Sequence, residues 1–186
     1  KKKSDNYYRV KRVAKHLSKT KKKSKLLDFG SGLGVFLYRL AKHKFKNKNK
    51  WSFFSFETDT SNKKLLKKNS NIKNIEKNIF DQKKTYDFIT LNKVLEHIDK
   101  PIDFLVKIKS ILKDDAIIYI EVPHTSGALR RNDDSLVSLH YNLYSKISLK
   151  LIALKLDFEI LEIKKILEPS KKKTIYTFMK IKKNVR

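Results

Sequence analysis

Three glycines within five residues, at positions 30, 32 and 34, form the part of this chain best suited to hold a ligand. They follow the mostly apolar residues 26–29, which are typical of a buried strand, and a helix-like stretch begins after them. Glycine allows a ligand to approach backbone that a Cβ would shield. The nicotinamide fingerprint requires another glycine at the position of Val35. The turn therefore predicts a cradle for a different nucleoside cofactor or, alternatively, an ordinary tight turn between strand and helix.

Polar side chains accompany this turn at the end of the next strand. Glu57 lies roughly 20 residues past the glycines, where a carboxylate can accept hydrogen bonds from both ribose hydroxyls of a nucleoside. Asp59 is the alternative for this role, and a solvated acid at a strand end is the remaining interpretation. Ser31 within the turn and Thr58 after Glu57 complete the polar residues assigned to the cofactor.

The elements that must position these residues alternate between strand-like and helix-like patterns. Strands are predicted within residues 26–29, 51–56, 72–79, 86–91, 116–122, 158–166 and 174–181. Helices are predicted over residues 7–18, 36–41, around 65–66, 101–113 and 145–156. This alternation predicts an α/β fold with a doubly wound, mostly parallel sheet of seven strands that ends in an antiparallel hairpin. The link between the third and fourth strands is too short for a crossover helix, so we expect it to be irregular.

In a doubly wound sheet, ligands bind outside the carboxyl ends of the strands, at the point where the strand order reverses. The glycine turn, Glu57, residues 80–81, Asn92 and Pro123 all fall at this edge. The predicted topology therefore brings the chemically useful residues together.

Length and composition bound the class of protein. The 186 residues, 40% of them hydrophobic, predict one domain over 1–186 that opens with a helix and loop at 1–24. The chain contains no cysteine, which excludes disulfides and cysteine-based zinc sites. No apolar run reaches the length of a membrane span and no signal-type segment opens the chain, so a cytoplasmic protein is expected.

The formal net charge of +26 suggests nucleic acid as a partner, but the residues that carry it do not favour one. Arginine, whose planar fork matches phosphate, occurs six times against 39 lysines. The lysines are spread along the whole chain and accompany abundant Asn, Ile and Phe, which is typical of an AT-rich genome. Compositional drift is therefore favoured over a binding surface, and non-specific attraction to anions follows in either case.

The segment YDFITLNKVLEHIDKP at residues 86–101 resembles the FDxIxxxxVLEHxxxP signature of class I S-adenosylmethionine (SAM)-dependent methyltransferases that act on small molecules. The glycine turn, in KLLDFGSGLGVF, is similar to the first motif of that family. The stretches LKDDAIIYIEVPH and LHYNLYSKISLKLIALKLDFEILEI also resemble it, with Asp114, Asp115 and Asp157 where glycines are usual. The resemblance spans residues 24–166 and implies a Rossmann-like fold, SAM as the cofactor and methyl transfer as the reaction.

The resemblance assigns cofactor roles to individual residues. Gly30, Gly32 and Gly34 would shape the SAM pocket. Asp28 would orient the methionine amino group, unless it only stabilises the turn. Asn92 lies where backbone contacts the methionine part of SAM.

Two neighbouring residues, Phe80 and Asp81, are assigned to the adenine end of the cofactor. The Phe80 ring would stack on the base, and Asp81 would meet the adenine amine. Core packing for Phe80 and solvent exposure for Asp81 are the alternative interpretations.

Glu96 and His97 match the Glu-His pair of the signature. In the quinone-pathway O-methyltransferases of this type, that pair and an acid three residues before the Glu bind a metal. This chain has Lys93 at the earlier position, which cannot be the same ligand, so no metal is predicted. His97 is instead predicted to remove a proton from an acceptor hydroxyl or, alternatively, to bond backbone at a helix start.

Residues 123–145 have no clear period and are expected to lie over the acceptor site as a lid. His124 and His140 bracket this segment and are further candidates for the base. Arg130 and Arg131 would hold an anionic acceptor or, alternatively, are surface arginines, and Tyr141 would contact the acceptor.

Together these residues predict an enzyme that methylates a small molecule, with oxygen favoured as the accepting atom and a sugar or cell-envelope precursor as the expected substrate. An RNA-directed methyltransferase is one alternative, which only the charge supports. The chain lacks the N/D-P-P-Y segment of amino-directed base methylases and the cysteine of pyrimidine C5 methylation. A non-catalytic SAM-binding subunit is the other alternative.

Overall fold

The structure is a computed structural model that describes residues 4–59, 71–75, 79–81, 85–128 and 140–182. Its strands are β1 (Ser24–Phe29), β2 (Trp51–Phe56), β3 (Ile72–Ile75), β4 (Tyr86–Asn92), β5 (Leu112–Pro123), β6 (Phe158–Leu167) and β7 (Lys173–Ile181). They form one seven-stranded sheet in the order β3-β2-β1-β4-β5-β7-β6. β1 to β5 pair in parallel, and β7 lies antiparallel between β5 and β6. The predicted fold class is confirmed.

Helices cover both faces of this sheet. They are α1 (Asp5–Leu17), α2 (Val35–Lys42), α3 (Pro101–Ile111), α4 (Thr125–Ala128) and α5 (Lys146–Lys155). α1 and α2 pack on one face, in a cluster that includes Leu17 and Phe88. α3 and α5 pack on the other face, in a cluster that includes Ile108 and Ile89. Because neighbouring strand residues point to opposite faces, the central strands carry apolar side chains on both faces, as Leu26 and Leu27 of β1 do in the first and second cluster.

The order of strands reverses between β1 and β4, which are paired at the centre of the sheet. The loops that follow β1, β2 and β4 therefore open at one edge, where a ligand of such a sheet is expected. No helix among the described residues is long and apolar enough to cross a bilayer.

The start of β5 differs from that predicted. β5 begins at Leu112 instead of residue 116, because the buried Leu112 side chain follows α3 directly and its backbone already pairs with Tyr86 of β4. The link between β3 and β4 contains a single 3₁₀ turn, Ile79–Asp81, within its described part. The helix predicted around residues 65–66 lies outside the described residues.

Ser145 begins α5, as the sequence predicted. Its Oγ accepts a hydrogen bond from Ser148 N at 3.1 Å, and Ser148 Oγ accepts one from Ser145 N at 2.8 Å. This reciprocal pair satisfies two N–H groups that the first turn of a helix leaves without partners. The cap therefore determines where the chain leaves the preceding loop.

Candidate functional site

The glycine turn after β1 is held against the end of β2. The N–H groups of Gly30 and Ser31 both donate to Phe56 O, at 2.8 and 3.2 Å. Gly30, Gly32 and Gly34 have left-handed backbone with φ of 69°, 51° and 74°. A Cβ on Gly30 would lie 2.6 Å from a methyl group of Val94, whereas a Cβ on Gly32 would enter open space. Gly32 therefore borders a space at the sheet edge that a ligand can fill.

Gly30→Ala should lower the free energy of unfolding by about 2–4 kcal/mol, because both the left-handed backbone and the contact with Val94 oppose a Cβ. Gly32→Ala is the matched control, because Gly32 also has a positive φ but an added Cβ there would have no atom within 4 Å among the described residues. It should cost only the backbone term of about 1–2 kcal/mol. Urea unfolding of both variants measures the difference, and equal losses would show that Val94 moves aside without cost.

Glu57 follows β2 and faces the glycine turn. Its Oε2 accepts a hydrogen bond from Gly32 N at 2.6 Å, and its Oε1 accepts one from Asp59 N at 3.0 Å. The hydroxyl of Thr58 donates to Oε1 at 3.3 Å. A carboxylate has about four acceptor positions, so Glu57 keeps capacity for a ribose hydroxyl. The structure brings Glu57 to the turn, and its role at a ribose stays a prediction.

Asp28 is fully buried at the end of β1. Its Oδ1 accepts hydrogen bonds from Thr90 Oγ1 at 2.5 Å and from Asn92 Nδ2 at 2.8 Å, both on β4. Burial raises the pKa of Asp28 to about 6, although these hydrogen bonds lower it. Within the part of the chain that the structure describes, the Asn92 Oδ1 atom is buried and has no hydrogen-bond partner. An ionised carboxylate and an unsatisfied carbonyl oxygen together suit a cationic group such as an ammonium.

The residues predicted for the adenine end of the cofactor lie in the 3₁₀ turn after β3. The Phe80 ring is half-buried and packs near the rings of Phe29 and Phe104, with centroids 6.0 and 6.5 Å away. Asp81 is exposed in the same turn. The packing of Phe80 accords with its alternative interpretation as a core residue, and its role at an adenine stays a prediction.

Ser31 donates its hydroxyl to Asp28 O at 2.7 Å and thereby closes the glycine turn.

A second group of side chains lies after β4, in the 3₁₀ turn Leu95–His97. One ligand atom each from Glu96, His97 and His140 lies within 4.8 Å of the others. The Glu96 side chain is buried, and its Oε2 has no hydrogen-bond partner among the described residues; burial raises the pKa of Glu96. The imidazole rings of His97 and His140 have centroids 4.9 Å apart. We call these three residues the acceptor cluster.

The chain that follows His140 holds the acceptor cluster together. Asn142 Nδ2 donates to Ile98 O at 2.7 Å, and Asn142 N donates to Glu96 O at 3.3 Å. Tyr144 Oη donates to Leu95 O at 3.1 Å. These bonds attach the end of the predicted lid to the turn that carries Glu96 and His97, which explains how residues 43 positions apart meet.

The donor types of the acceptor cluster fit a divalent cation. Two imidazoles and one carboxylate are a common ligand set for first-row metals, and the acceptor cluster offers one ligand atom from each of these three side chains. Lys93 takes no part, because its Nζ donates to Thr174 Oγ1 at 2.7 Å and lies 3.7 Å from Glu121 and Glu168. His140, which the sequence reading considered only as a base, supplies the third donor, and the predicted absence of a metal stays a prediction.

A buried ionic network lies beside the acceptor cluster, and the sequence reading missed it. Glu121 of β5 is fully buried and bonds Arg9 and Arg12 of α1, the latter at 2.9 Å. Burial alone would raise the pKa of Glu121, but Arg9 and then Lys93 outweigh it and lower the pKa to about 2. Arg9 also reaches Glu168 at 3.4 Å. The signal that could have found this network is a glutamate inside the otherwise apolar strand IIYIEV.

The other predicted acceptor residues either are not among the three residues of the acceptor cluster or lie outside the described part. The His124 Nδ1 atom accepts a hydrogen bond from Ser126 N at 3.0 Å, so this ring is held at the start of α4. Burial and then Lys165 lower its pKa. Tyr141 is 72% exposed. Arg130 and Arg131 lie outside the described residues.

A doubly wound sheet with a glycine turn after its first strand, an acid after its second and a polar cluster after its fourth defines a Rossmann-like enzyme that binds a nucleoside cofactor. The sequence model of the family described as "Methyltransferase domain" matches residues 3–163, which is most of this chain. The chain belongs to this methyltransferase family. None of the curated protein sequences matches it.

Solved structures share this fold at low sequence identity. A methyltransferase complex with the Haloferax volcanii Trm112 activator has a TM-score of 0.75 at 12% identity, over 98% of this chain and 92% of that one. The Burkholderia thailandensis 1,6-didemethyltoxoflavin-N1-methyltransferase has a TM-score of 0.73 at 14% identity, and the match covers 96% of this chain and 79% of that one. A SAM-dependent methyltransferase from Aquifex aeolicus has a TM-score of 0.65 at 18% identity, and the match covers 91% of this chain and 88% of that one. The predicted enzyme class is confirmed by the family match.

Proposed function

We propose that this protein transfers the methyl group of SAM to a small-molecule acceptor and that a hydroxyl oxygen is the favoured accepting atom. The observation that carries the proposal is the presence of two distinct sites at one edge of the sheet. The glycine turn with Glu57 and Asp28 suits a nucleoside cofactor with a cationic group. The acceptor cluster suits the removal of a proton.

The cofactor side of the proposal assigns a role to each polar group at the turn. Glu57 accepts hydrogen bonds from the ribose hydroxyls, and Asp28 with Asn92 Oδ1 receives the methionine ammonium. SAM, when bound, supplies an electrophilic methyl group on a sulfonium. The chain itself aligns acceptor, methyl carbon and sulfur. A similar fold, the Burkholderia thailandensis N1-methyltransferase, was solved with S-adenosylhomocysteine and its small-molecule acceptor.

The acceptor cluster gives the reason to favour oxygen. A neutral amine attacks with its free lone pair, whereas a hydroxyl must lose its proton as the new bond forms. An imidazole of His97 or His140 accepts that proton, and the Glu96 carboxylate stabilises the positive charge that results. If the cluster holds a divalent cation, the cation would bind the acceptor oxygen and make its proton more acidic.

Calorimetric titration with SAM and S-adenosylhomocysteine tests the cofactor side. Wild type should bind both, and Glu57→Ala should weaken binding by at least about 30-fold, because a carboxylate that accepts two hydrogen bonds is lost. Asp59→Ala is the matched control and should change affinity less than about threefold, because its backbone N–H still supports Glu57. A loss confined to Asp59→Ala would reassign the ribose role, and no binding by folded wild type would overturn the proposal.

A further inference from the structure

α5 carries apolar side chains on both of its faces. Its inner face is buried in the core. Its outer face carries three large apolar side chains that are 60–70% exposed, namely Ile147, Leu151 and Leu154. These positions follow a spacing of four and three residues and therefore form one line along the helix. We call these three residues the α5 stripe, and the exposed side chains of Tyr141 and Leu143 precede it.

The charged residues of α5 are all positive. Lys146, Lys150 and Lys155 are exposed and flank the stripe, and the helix sequence KISLKLIALK contains no acid. The nearest acids in the chain are Asp157, which lies 3.8 Å from Lys109, and Glu159 on β6. The outer face of α5 therefore combines apolar side chains with a basic rim.

We propose that the α5 stripe attaches this protein peripherally to a membrane surface that contains anionic lipid. Apolar side chains on one face of a surface helix insert at the boundary between headgroups and acyl chains, and flanking lysines bind anionic headgroups. The net charge of +26 adds long-range attraction to the same surface. The attachment does not depend on the proposed methyl transfer.

A protein partner fits this face less well than a bilayer does. Lysine is depleted in protein–protein interfaces, which favour aromatic residues and arginine, whereas the α5 stripe is surrounded by lysine. A second copy of the chain would place the lysine rims of two helices opposite each other, and that repulsion opposes a symmetric dimer. The outer side of a single helix is also convex, which suits shallow insertion rather than capture of a peptide.

The position of the stripe gives the attachment a consequence for the acceptor cluster. Ile147 lies three residues after Tyr144, whose hydroxyl contacts the turn that carries Glu96 and His97. Attachment through α5 therefore brings the acceptor cluster close to the lipid surface.

Flotation with vesicles tests the proposal. The full chain is mixed with vesicles of phosphatidylcholine alone or with a third of phosphatidylglycerol, at 0.1 and 0.5 M salt. Wild type should float with the anionic vesicles at 0.1 M salt. A triple variant, Ile147→Gln, Leu151→Gln and Leu154→Gln, should lower the bound fraction at least about tenfold, because three inserted side chains are lost.

Matched variants distinguish vesicle binding through the α5 stripe from binding through net charge or through other exposed apolar side chains. Val106→Gln, Leu161→Gln and Leu167→Gln remove three exposed apolar side chains elsewhere and should leave flotation within about twofold. Lys146→Gln, Lys150→Gln and Lys155→Gln should weaken binding more than the same change at Lys21, Lys23 and Lys46, because only the first three flank the stripe. Circular dichroism and S-adenosylhomocysteine titration verify that each variant is folded.

Four outcomes would overturn the proposal. Attachment through α5 is excluded if wild type does not float with anionic vesicles at 0.1 M salt. It is also excluded if the stripe variant floats as well as wild type does. Equal losses from the two lysine triples would show that net charge alone binds the vesicles. A wild-type dimer in ultracentrifugation that the stripe variant converts to a monomer would assign the stripe to a second copy of the chain.

Discussion

Asp28→Asn is expected to make the protein more stable and to impair its binding of SAM. The wild-type carboxylate is buried, and burial raises its pKa from 3.8 to about 6. Keeping it ionised at neutral pH therefore costs about 3 kcal/mol. The amide of the variant would retain an oxygen that accepts from Thr90 and Asn92, so the substitution removes the charge and keeps both hydrogen bonds. The loss of attraction to the methionine ammonium should weaken SAM binding by about 10- to 100-fold.

The pH dependence of this effect has a definite sign. Because the pKa of Asp28 is higher in the folded state than in the unfolded state, the folded state binds the proton more tightly between pH 3.8 and about 6. The stability contributed at this site therefore falls as pH rises through that window and is constant above it. In urea unfolding at several pH values, the free energy of unfolding of Asp28→Asn should rise relative to that of wild type from about pH 4 to pH 6.

A matched control separates this effect from a general response to losing an acid. Asp87→Asn removes a carboxylate that binds Lys25 N and Lys113 Nζ, at 2.9 and 2.8 Å. It should lower stability by up to about 1 kcal/mol and leave SAM affinity unchanged. If Asp28→Asn also destabilises the protein, Asp28 is a structural acid and its proposed role toward the cofactor fails.

Glu121→Gln is expected to be the most damaging isosteric change in the chain's interior. It removes the carboxylate charge that Arg9, Arg12 and Lys93 share and leaves Arg9 and Lys93 beside Glu168. Breaking a buried pair by removing one partner typically costs 3–5 kcal/mol. The depression of the Glu121 pKa from 4.5 to about 2 corresponds to about 3 kcal/mol at neutral pH. We therefore expect a loss of about 3 kcal/mol in urea unfolding at pH 7.

The acid limb of the stability curve identifies the cause of that loss. Because the folded pKa of Glu121 lies below its unfolded value, its contribution is complete above pH 4.5 and is lost as pH falls toward 2. The difference in free energy of unfolding between wild type and Glu121→Gln should therefore become smaller below pH 4.5. Glu159→Gln, at an exposed position on β6, is the control and should change stability by less than about 0.5 kcal/mol. A pH-independent loss at Glu121 would indicate altered packing instead of a lost charge.

The network around Glu121 also has a structural role. It joins the middle of α1 to the end of β5 and to Glu168 in the β6–β7 turn, and Lys93, the residue that follows β4, extends it further. The charges of Lys93 and Glu121 in this network act on Glu96 of the acceptor cluster. A weakened network should therefore loosen the edge of the sheet where the proposed reaction takes place.

Local patterns were sufficient to predict most of the fold. The alternation of strand and helix patterns predicted all seven strands, and Ser145 predicted the start of α5 from its own capping chemistry. The start of β5 was predicted four residues late, because the pairing of Leu112 with Tyr86 is a long-range contact that no local pattern encodes.

Contacts between distant residues decided what the predicted site residues can do. Glu57 was predicted near the glycines from its spacing after them and its place at the end of the second strand, and the structure adds its hydrogen bond to Gly32. His97 and His140 were separate candidates, and the bonds of Asn142 and Tyr144 to the turn after β4 bring them together.

The sequence by itself determined the fold class, the glycine turn and the methyltransferase family, because periodicity and short motifs are properties of neighbouring residues. Only the tertiary structure decided the state of the charged groups. Asp28 and Glu121 are both strand carboxylates, yet burial raises the pKa of the first to about 6, while Arg9 and then Lys93 lower that of the second to about 2. Burial and the approach of an arginine 112 residues away are products of folding, and they move the pKa values of these two similar carboxyl groups in opposite directions.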